Sequence, residues 1–236
     1  MTTVLITGAN RGLGLEFVRQ YQDKNVIIHA CCRNPDAANE LNALADNSGG
    51  LIKVHRMEVS DPSQVSSVAD ALKGVSIDRL INNAGILGTI IDQPGNSAFG
   101  NLDYNVWEET MRVNVLSPFR ICEAFVGHVA ASDEKLMVFL STHMASITEL
   151  ADGGFYPYRS SKAALNLVIK GLSIDLKDRG VRTLALHPGW VKTDMGSQAA
   201  AVDIPDSIAG MKDVISGFKA PRTGEFINYD NSPIQW

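Results

Sequence analysis

The sequence predicts an α/β domain in which helices cover both faces of a parallel sheet. Its length of 236 residues suits one domain of this class. Short β-like runs alternate with helical patterns along the chain, which is typical of βαβ units. Several runs are apolar throughout, as in strands buried on both faces. We therefore expect a doubly wound sheet of about seven strands, built as one domain over residues 1–236.

The predicted elements follow from these patterns in chain order. Seven runs are predicted as strands: Thr3–Thr7, Val26–Cys32, Leu51–Met57, Arg79–Asn82, Leu136–Ser141, Val181–His187 and Glu225–Asn228. Helices are predicted over Leu15–Tyr21, after the N-cap Asp61, and over Tyr104–Ala131 and Pro157–Lys177. Two stretches, Leu87–Asn101 and Met195–Pro221, are predicted as long loops, the second containing a substrate loop at about 195–220.

Composition and charge exclude several classes of protein. The chain has 21 Lys and Arg against 26 Asp and Glu, so its formal charge of −5 argues against a nucleic-acid partner. No apolar run reaches the roughly 18 residues of a membrane span. The first residues lack the features of a signal peptide, so we expect a cytoplasmic protein. Cys31, Cys32 and Cys122 form neither a disulfide framework nor a metal-ligand pattern, so no metal is expected.

A glycine-rich turn follows the first predicted strand and precedes a helix. This strand–turn–helix context is that of a Rossmann dinucleotide site, where the pyrophosphate lies at the helix N-terminus. The spacing is G-x-x-x-G-x-G rather than G-x-G-x-x-G. The residues expected to approach the cofactor are Gly8, Asn10, Arg11, Gly12, Leu13 and Gly14.

Two arginines favour NADP(H) over NAD(H). NAD-binding proteins usually place an acid about 20 residues beyond the glycine turn, where it binds the ribose 2′-hydroxyl. Here Arg33 lies 19 residues after Gly14, and the first acid beyond it is Asp36. Guanidinium binds phosphate strongly, so Arg33 and Arg11 suit a 2′-phosphate with no competing acid. The alternative is that both arginines merely face solvent.

Tyr158 and Lys162 stand at positions i and i+4 of a predicted helix. This spacing puts both side chains on one face, one turn apart. An ammonium beside a phenol favours the phenolate, so we expect Lys162 to lower the pKa of Tyr158 from about 10. Tyr158 would then act as a general acid or base.

Together these motifs resemble those of the short-chain dehydrogenase/reductase family over nearly the whole chain. The matching segments are Thr7–Gly14, Asn82–Gly85, Asn114, Tyr158-x-x-x-Lys162 and His187–Thr193. Within the family, the sequence is most similar to carbonyl reductases of the sniffer type and to bacterial C-factor relatives. The resemblance implies a reversible hydride transfer between NADPH and a small, apolar aldehyde, ketone or quinone.

The resemblance also implies roles for individual residues. Tyr158 would donate the proton, Lys162 would bind the nicotinamide ribose, and Asn114 would hold a water in a proton relay while marking a helix kink. The other residues expected to contact the cofactor are Glu58, Val59, Asn82, Ala84, Gly85, Pro188, Gly189, Val191 and Thr193.

Three residues could supply the hydroxyl that polarises the substrate oxygen. The family usually has a second Ser at this place after the fifth strand, where this sequence has Thr142. Thr142 lies 16 residues before Tyr158, and Ser146, at 12 residues, is a rival; Ser141 is the third candidate.

Two further expectations concern partners and alternatives. Relatives usually pair through two long helices, so the resemblance implies a homodimer or homotetramer. Apolar loop residues weakly suit an apolar substrate: Ile90, Ile91, Phe155, Trp190 and Met195. The alternative functions are a C-factor-like signalling or NADP(H)-sensing protein with little turnover, and a scaffold that binds no nucleotide.

Overall fold

The computed structural model describes residues 1–88 and 98–236 and contains one seven-stranded sheet. Its order is β3-β2-β1-β4-β5-β6-β7, and every neighbouring pair of strands is parallel. The strands are β1 (Thr2–Thr7), β2 (Val26–Cys32), β3 (Ile52–Arg56), β4 (Arg79–Asn82), β5 (Leu136–Leu140), β6 (Arg182–His187) and β7 (Glu225–Asn228). The predicted fold class is confirmed, and each predicted strand agrees with the observed one to within a residue at either end.

Seven α-helices lie within the described residues. They are α1 (Gly12–Tyr21), α2 (Asn39–Asp46), α3 (Pro62–Ala71), α4 (Tyr104–Met111), α5 (Ser117–Ala130), α6 (Tyr156–Asp175) and α7 (Ile204–Gly217). The predicted cap of α3 is present, because the Asp61 side chain accepts hydrogen bonds from the backbone N–H groups of Ser63 and Gln64. The predicted specificity residues Ile90 and Ile91 lie outside the described residues.

The helices cover the two faces of the sheet with separate apolar layers. Leu15 and Phe17 of α1, Leu41 of α2 and Met211 of α7 belong to one layer. The other contains residues of α3, α5 and α6, such as Val65, Phe125 and Ile169. Strand residues alternate between the layers, which explains why the strands are apolar throughout.

The predicted helix over Tyr104–Ala131 is interrupted. Residues Arg112–Leu116 form a π-helical turn between α4 and α5, and the Ser117 hydroxyl donates to the Arg112 carbonyl oxygen at 2.9 Å. Inserted π turns widen a helix and re-aim the side chains on them. Asn114 lies in this turn, so the helix is irregular at the residue where a kink was expected.

The prediction of one long loop over Met195–Pro221 was wrong. Helix α7 occupies Ile204–Gly217 and buries Ile208, Met211 and Ile215 against the sheet. Asp203 and Pro205 are ordinary helix-start residues, and the apolar positions have helical spacing. Residues 195–203 and 218–220 are left as the non-helical parts of the expected substrate loop.

The parallel topology brings the motifs to one edge. The carboxyl ends of all seven strands lie at the same edge of the sheet. Chain order reverses between β1 and β4, and this switch point is where α/β sheets bind ligands. No helix of the described residues is both long and apolar enough to cross a membrane.

Candidate active site

The glycine turn after β1 has no room for side chains. Gly8 has a φ of +66°, in the left-handed region that favours glycine. A Cβ on Gly14 would lie 2.1 Å from the Gly8 carbonyl oxygen. Helix α1 then begins with no capping side chain and no acid in its first turn. Its first N–H groups are therefore available to an anion such as a pyrophosphate.

Thr7 and Asn83, for which the sequence predicted no individual role, hydrogen-bond this turn to the segment that follows β4. The Asn83 side chain donates from Nδ2 to the Thr7 carbonyl oxygen at 2.8 Å and to the Gly8 carbonyl oxygen at 3.2 Å. The Thr7 hydroxyl accepts the backbone N–H groups of Asn83 and Ala84, each at 3.0 Å. Both residues stood within the recognised motifs, but only the strand order shows that β1 and β4 are neighbours. Asn82 instead turns inward, with Nδ2 3.9 Å from Cys122 Sγ.

Charged side chains cluster where β2 and β3 end. Arg33 is largely exposed, and its Nη1 lies 3.7 Å from the Glu58 carboxylate. The expectation that no acid competes for Arg33 was therefore wrong, because adjacent parallel strands place Glu58 beside it. Val59, next along the chain, is buried. Arg11 is also exposed and pairs with Asp194 across the cleft.

Tyr158 and Lys162 are both buried on α6 beside the end of β5. Burial raises the pKa of Tyr158 to about 12, and a hydrogen bond with the Thr142 side chain acts in the opposite direction. Burial lowers the pKa of Lys162 to about 8, and its Nζ donates to the Leu140 carbonyl oxygen at 2.8 Å. The expected lowering of the Tyr158 pKa is not found, because the loss of hydration dominates in this buried site.

The three candidate hydroxyls have different partners. Thr142 Oγ1 accepts the Met144 N–H at 3.3 Å, and the Thr142 side chain also lowers the pKa of Tyr158. Ser141 Oγ instead donates to Asn166 Oδ1 on α6 at 2.6 Å. Ser146 Oγ accepts the Glu149 N–H at 3.2 Å, which closes a turn. Of the three, Thr142 is the residue whose side chain acts on the pKa of the Tyr158 phenol.

Asn114 bridges the π turn, the segment after β4 and α6. Its Oδ1 accepts the Ile86 N–H at 2.9 Å, and its Nδ2 donates to the Ile86 carbonyl oxygen at 2.8 Å and to Ser161 Oγ at 3.0 Å. A Cβ on Gly85 would lie 3.1 Å from Asn114 Oδ1 and 3.4 Å from Lys162 Nζ. Glycine at this position therefore leaves open the space that the amide oxygen and the amine share.

The segment after β6 forms the opposite wall of the cleft. Gly189 has a φ of +83°, and a Cβ there would lie 2.8 Å from the Tyr229 ring. The Pro188 carbonyl oxygen accepts the Ser207 hydroxyl at 2.6 Å, which anchors this wall to α7. Val191 is buried, and the Thr193 hydroxyl accepts the Gly196 N–H at 3.0 Å. Trp190 and Met195 are exposed nearby and offer apolar surface.

The structure thus gathers the predicted residues at one edge of the sheet. Those expected to bind the cofactor lie in the segments at the carboxyl ends of β1, β2, β3, β4 and β6, on both sides of the switch point. Tyr158 and Lys162 approach the same edge from α6. Residues 1–88 and 98–236 contain no group of three His, Cys, Asp or Glu side chains that could hold a metal ion.

Comparisons with known proteins agree with this arrangement. The chain is 38% identical over 160 residues to the C-signal of Myxococcus xanthus, which covers 68% of this chain and 93% of that protein. The carbonyl reductase Sniffer of D. melanogaster superposes with a TM-score of 0.91 at 31% identity, over 100% of both chains. An NADPH-bound carbonyl reductase from chicken fatty liver gives a TM-score of 0.89 at 32% identity, over 100% of this chain and 99% of that one.

The family itself follows from the sequence. The family model described as short chain dehydrogenase matches residues 2–203, most of the chain. That range includes the glycine turn, the Asn83 and Asn114 segments, and the Tyr158 and Lys162 pair. The chain belongs to the short chain dehydrogenase family of oxidoreductases.

Proposed function

We propose that this protein reduces the carbonyl group of small, apolar aldehydes, ketones or quinones with NADPH, and oxidises secondary alcohols in reverse. The observation that carries the proposal is a buried phenol one helical turn from a buried lysine, at the end of β5. The Thr142 side chain acts on the pKa of Tyr158, and the glycine turn suited to a dinucleotide lies at the same edge of the sheet. Two structural neighbours are carbonyl reductases, one of them with NADPH bound.

The cofactor fits the chain on three counts. The turn at Gly8 and Gly14 is free of side chains, and the uncapped start of α1 faces the same cleft. Arg33 and Arg11 are exposed cations at its adenosine side and suit a 2′-phosphate. Pro188, Gly189, Val191 and Thr193 would shape the nicotinamide side. NADPH held there would supply the hydride.

Tyr158 serves as the proton donor in the direction of reduction. Because its pKa is raised to about 12, the phenol stays protonated throughout the neutral range. As negative charge grows on the carbonyl oxygen, Tyr158 transfers its proton to that oxygen. Thr142 donates a second hydrogen bond there, which stabilises the charge in a buried, poorly hydrated site.

Lys162 and Asn114 support that donor. With a pKa of about 8, Lys162 is mostly charged at neutral pH, and its amine can bind ribose hydroxyls. Asn114 Oδ1 faces the open space beside Gly85 that Lys162 Nζ also borders. A water in that space would connect the amine to solvent and return a proton to Tyr158 after each turnover.

Exposed apolar side chains on two helices support a homodimer or homotetramer. Leu167 and Ile174 of α6 stand seven residues apart and are both exposed, and Phe119 of α5 is partly exposed. Apolar side chains exposed at helical spacing are typical of helix–helix interfaces. Sedimentation equilibrium of the wild type and of Leu167→Lys tests this pairing; a monomeric wild type would contradict it.

A second candidate is a signalling protein that senses NADP(H) with little turnover. It is supported by the identity to the C-signal of Myxococcus xanthus. A nucleotide sensor has no need of a buried tyrosine one helical turn from a buried lysine, so the site geometry favours the reductase.

Oxidation of NADPH with a panel of carbonyl compounds distinguishes the two functions. The panel contains aromatic aldehydes, aliphatic ketones and quinones, and NADPH binding is measured in parallel by fluorescence. The reductase proposal predicts turnover with at least one class. Tight NADPH binding without turnover on the whole panel would support the sensor instead.

A further inference from the structure

We propose that Ser141 and Asn166 form a positioning pair, which holds the end of β5 so that Thr142 stays aligned with Tyr158. The pair would act on the rate of the reaction through Thr142 and would not touch substrate or cofactor. This proposal rests on the proposed function, in which Thr142 and Tyr158 act together on the substrate oxygen.

Two consecutive residues at the end of β5 hydrogen-bond side chains of α6, and the next residue acts on Tyr158. The Leu140 carbonyl oxygen accepts Lys162 Nζ at 2.8 Å. Ser141 Oγ donates to Asn166 Oδ1 at 2.6 Å. Thr142 follows directly, and its side chain lowers the pKa of Tyr158.

The three partners on α6 are spaced by four residues. Side chains four apart lie on one face of a helix, so Tyr158, Lys162 and Asn166 form one row along the end of β5. The Tyr-x-x-x-Lys pair is thus part of a longer Tyr-x-x-x-Lys-x-x-x-Asn row. Asn166 is the member of this row farthest from the phenol.

The Ser141–Asn166 bond is buried and joins two neutral side chains. Both side chains are at least 96% buried, and the Ser141 N–H also donates to the Leu186 carbonyl oxygen of β6 at 2.9 Å. In the proposed reaction Lys162 must also bind the ribose, and Thr142 must also bind the substrate. The contacts that these two side chains make in the free protein therefore change during the reaction. The Ser141–Asn166 bond does not change, which suits it to fix the distance between β5 and α6.

Loss of this bond has a chemical consequence at Tyr158. The Thr142 side chain lowers the pKa of the phenol. If Thr142 moves away, that pKa rises, and alcohol oxidation, which needs the ionised phenol, requires a higher pH. Lys162 is retained in every variant, so its charge does not account for such a shift.

The test compares Ser141→Ala, Asn166→Leu and the double variant with the wild type. Each single variant is expected to lower kcat about tenfold with an unchanged KM for NADPH, because misaligned hydrogen-bond donors lose transition-state stabilisation. The rising limb of alcohol oxidation should move to higher pH. The double variant should match the singles, because all three lose the same bond.

Ser173→Ala is the matched control. Ser173 is a buried serine of the same helix, and its hydroxyl bonds only the Lys170 carbonyl oxygen within α6 among the bonds of the described residues. Its variant should keep the wild-type kcat and pH profile. Wild-type kcat and pH profile in Ser141→Ala would overturn the proposal.

A crystal structure of each single variant gives a readout that does not depend on turnover. The proposal predicts that the distance from Thr142 Oγ1 to Tyr158 Oη is longer in each variant than in a wild-type crystal structure determined alongside. An unchanged distance in Ser141→Ala would overturn it, and this variant removes only a hydroxyl, so it remains informative if Asn166→Leu fails to fold. An inactive wild type would refute the proposed function, while the crystal structures would still decide the positioning role.

Discussion

Backbone crowding at Gly14 constrains the cofactor cleft at the scale of a single residue. Gly14→Ala would bring a Cβ to 2.1 Å from the Gly8 carbonyl oxygen, so the turn must open. We expect NADPH affinity to fall at least about tenfold, since overpacking costs about 1–3 kcal/mol. Fluorescence titration measures the change. Gly171→Ala, at an uncrowded site within α6, should keep NADPH affinity and raise the free energy of unfolding by about 0.5–1 kcal/mol.

Arg33 and Glu58 together should set the preference between NADPH and NADH. Arg33→Ala removes the cation at the end of β2, so we expect the Kd of NADPH to rise about tenfold or more, with NADH unaffected. Glu58→Gln removes the carboxylate 3.7 Å from Arg33 and should tighten NADPH binding. Titrations with both nucleotides measure these changes. An equal loss for NADPH and NADH in Arg33→Ala would exclude a 2′-phosphate contact.

Some residue roles could be read from the sequence and others could not. Tyr158 and Lys162 were found because helical spacing alone puts them on one face. The different partners of Thr142 and Ser141 could not be read from the sequence, because they depend on the packing of β5 against α6, which is a long-range contact. The raised pKa of Tyr158 likewise depends on burial, which spacing does not reveal.

At the scale of elements, the π turn between α4 and α5 depends on Asn114. Asn114→Leu removes hydrogen bonds to both Ile86 backbone groups and to Ser161 and leaves buried polar groups without partners. We expect a loss of about 2–3 kcal/mol in the free energy of unfolding, together with a large fall in turnover. Urea unfolding and NADPH oxidation measure these effects. Asn105→Leu, at an exposed site of α4, should change stability by less than about 0.5 kcal/mol; equal losses in both variants would contradict this account.

Strands were easier to predict than helix boundaries. Buried parallel strands are continuous apolar runs between glycines and polar turns, so their ends are marked in the sequence. Helix α7 was missed because its start lies in a segment rich in small and polar residues. The π turn interrupts an apolar pattern that continues smoothly from α4 to α5, and its position follows from the Asn114 contacts.

For the whole molecule, buried histidines predict a loss of stability in acid. Burial, with His55 and Lys53 nearby, lowers the pKa of His29 to about 4 from 6.5. Between these values the unfolded chain binds more protons, so stability is full above about pH 6.5 and declines towards about pH 4. The contribution of His29 is about 3 kcal/mol.

Urea unfolding at about pH 7 and about pH 5 tests this dependence. His29→Gln should lose less stability than the wild type between the two values, because it lacks the titrating ring. Equal losses in the two proteins would show that His29 is not responsible. Burial likewise lowers the pKa of His187 to about 4. The stability of both the wild type and His29→Gln should therefore still decline somewhat in acid.

The candidate site depends on the whole sheet, because the carboxyl edge of the sheet brings together segments that are distant in sequence. The glycine turn after β1, the Asn83 segment after β4, Thr142 after β5 and Gly189 after β6 meet there, and α6 brings Tyr158 and Lys162. The central claim is that this edge performs NADPH-dependent carbonyl reduction with Tyr158 as the proton donor.

Tyr158→Phe tests that claim most directly, since it removes one hydroxyl and preserves the ring. Steady-state NADPH oxidation with an active carbonyl substrate and NADPH binding by fluorescence are measured on the variant and the wild type. The account predicts that kcat falls at least about 100-fold, as expected for loss of a general acid, while the Kd of NADPH changes less than about threefold. A variant that keeps the wild-type kcat would contradict it.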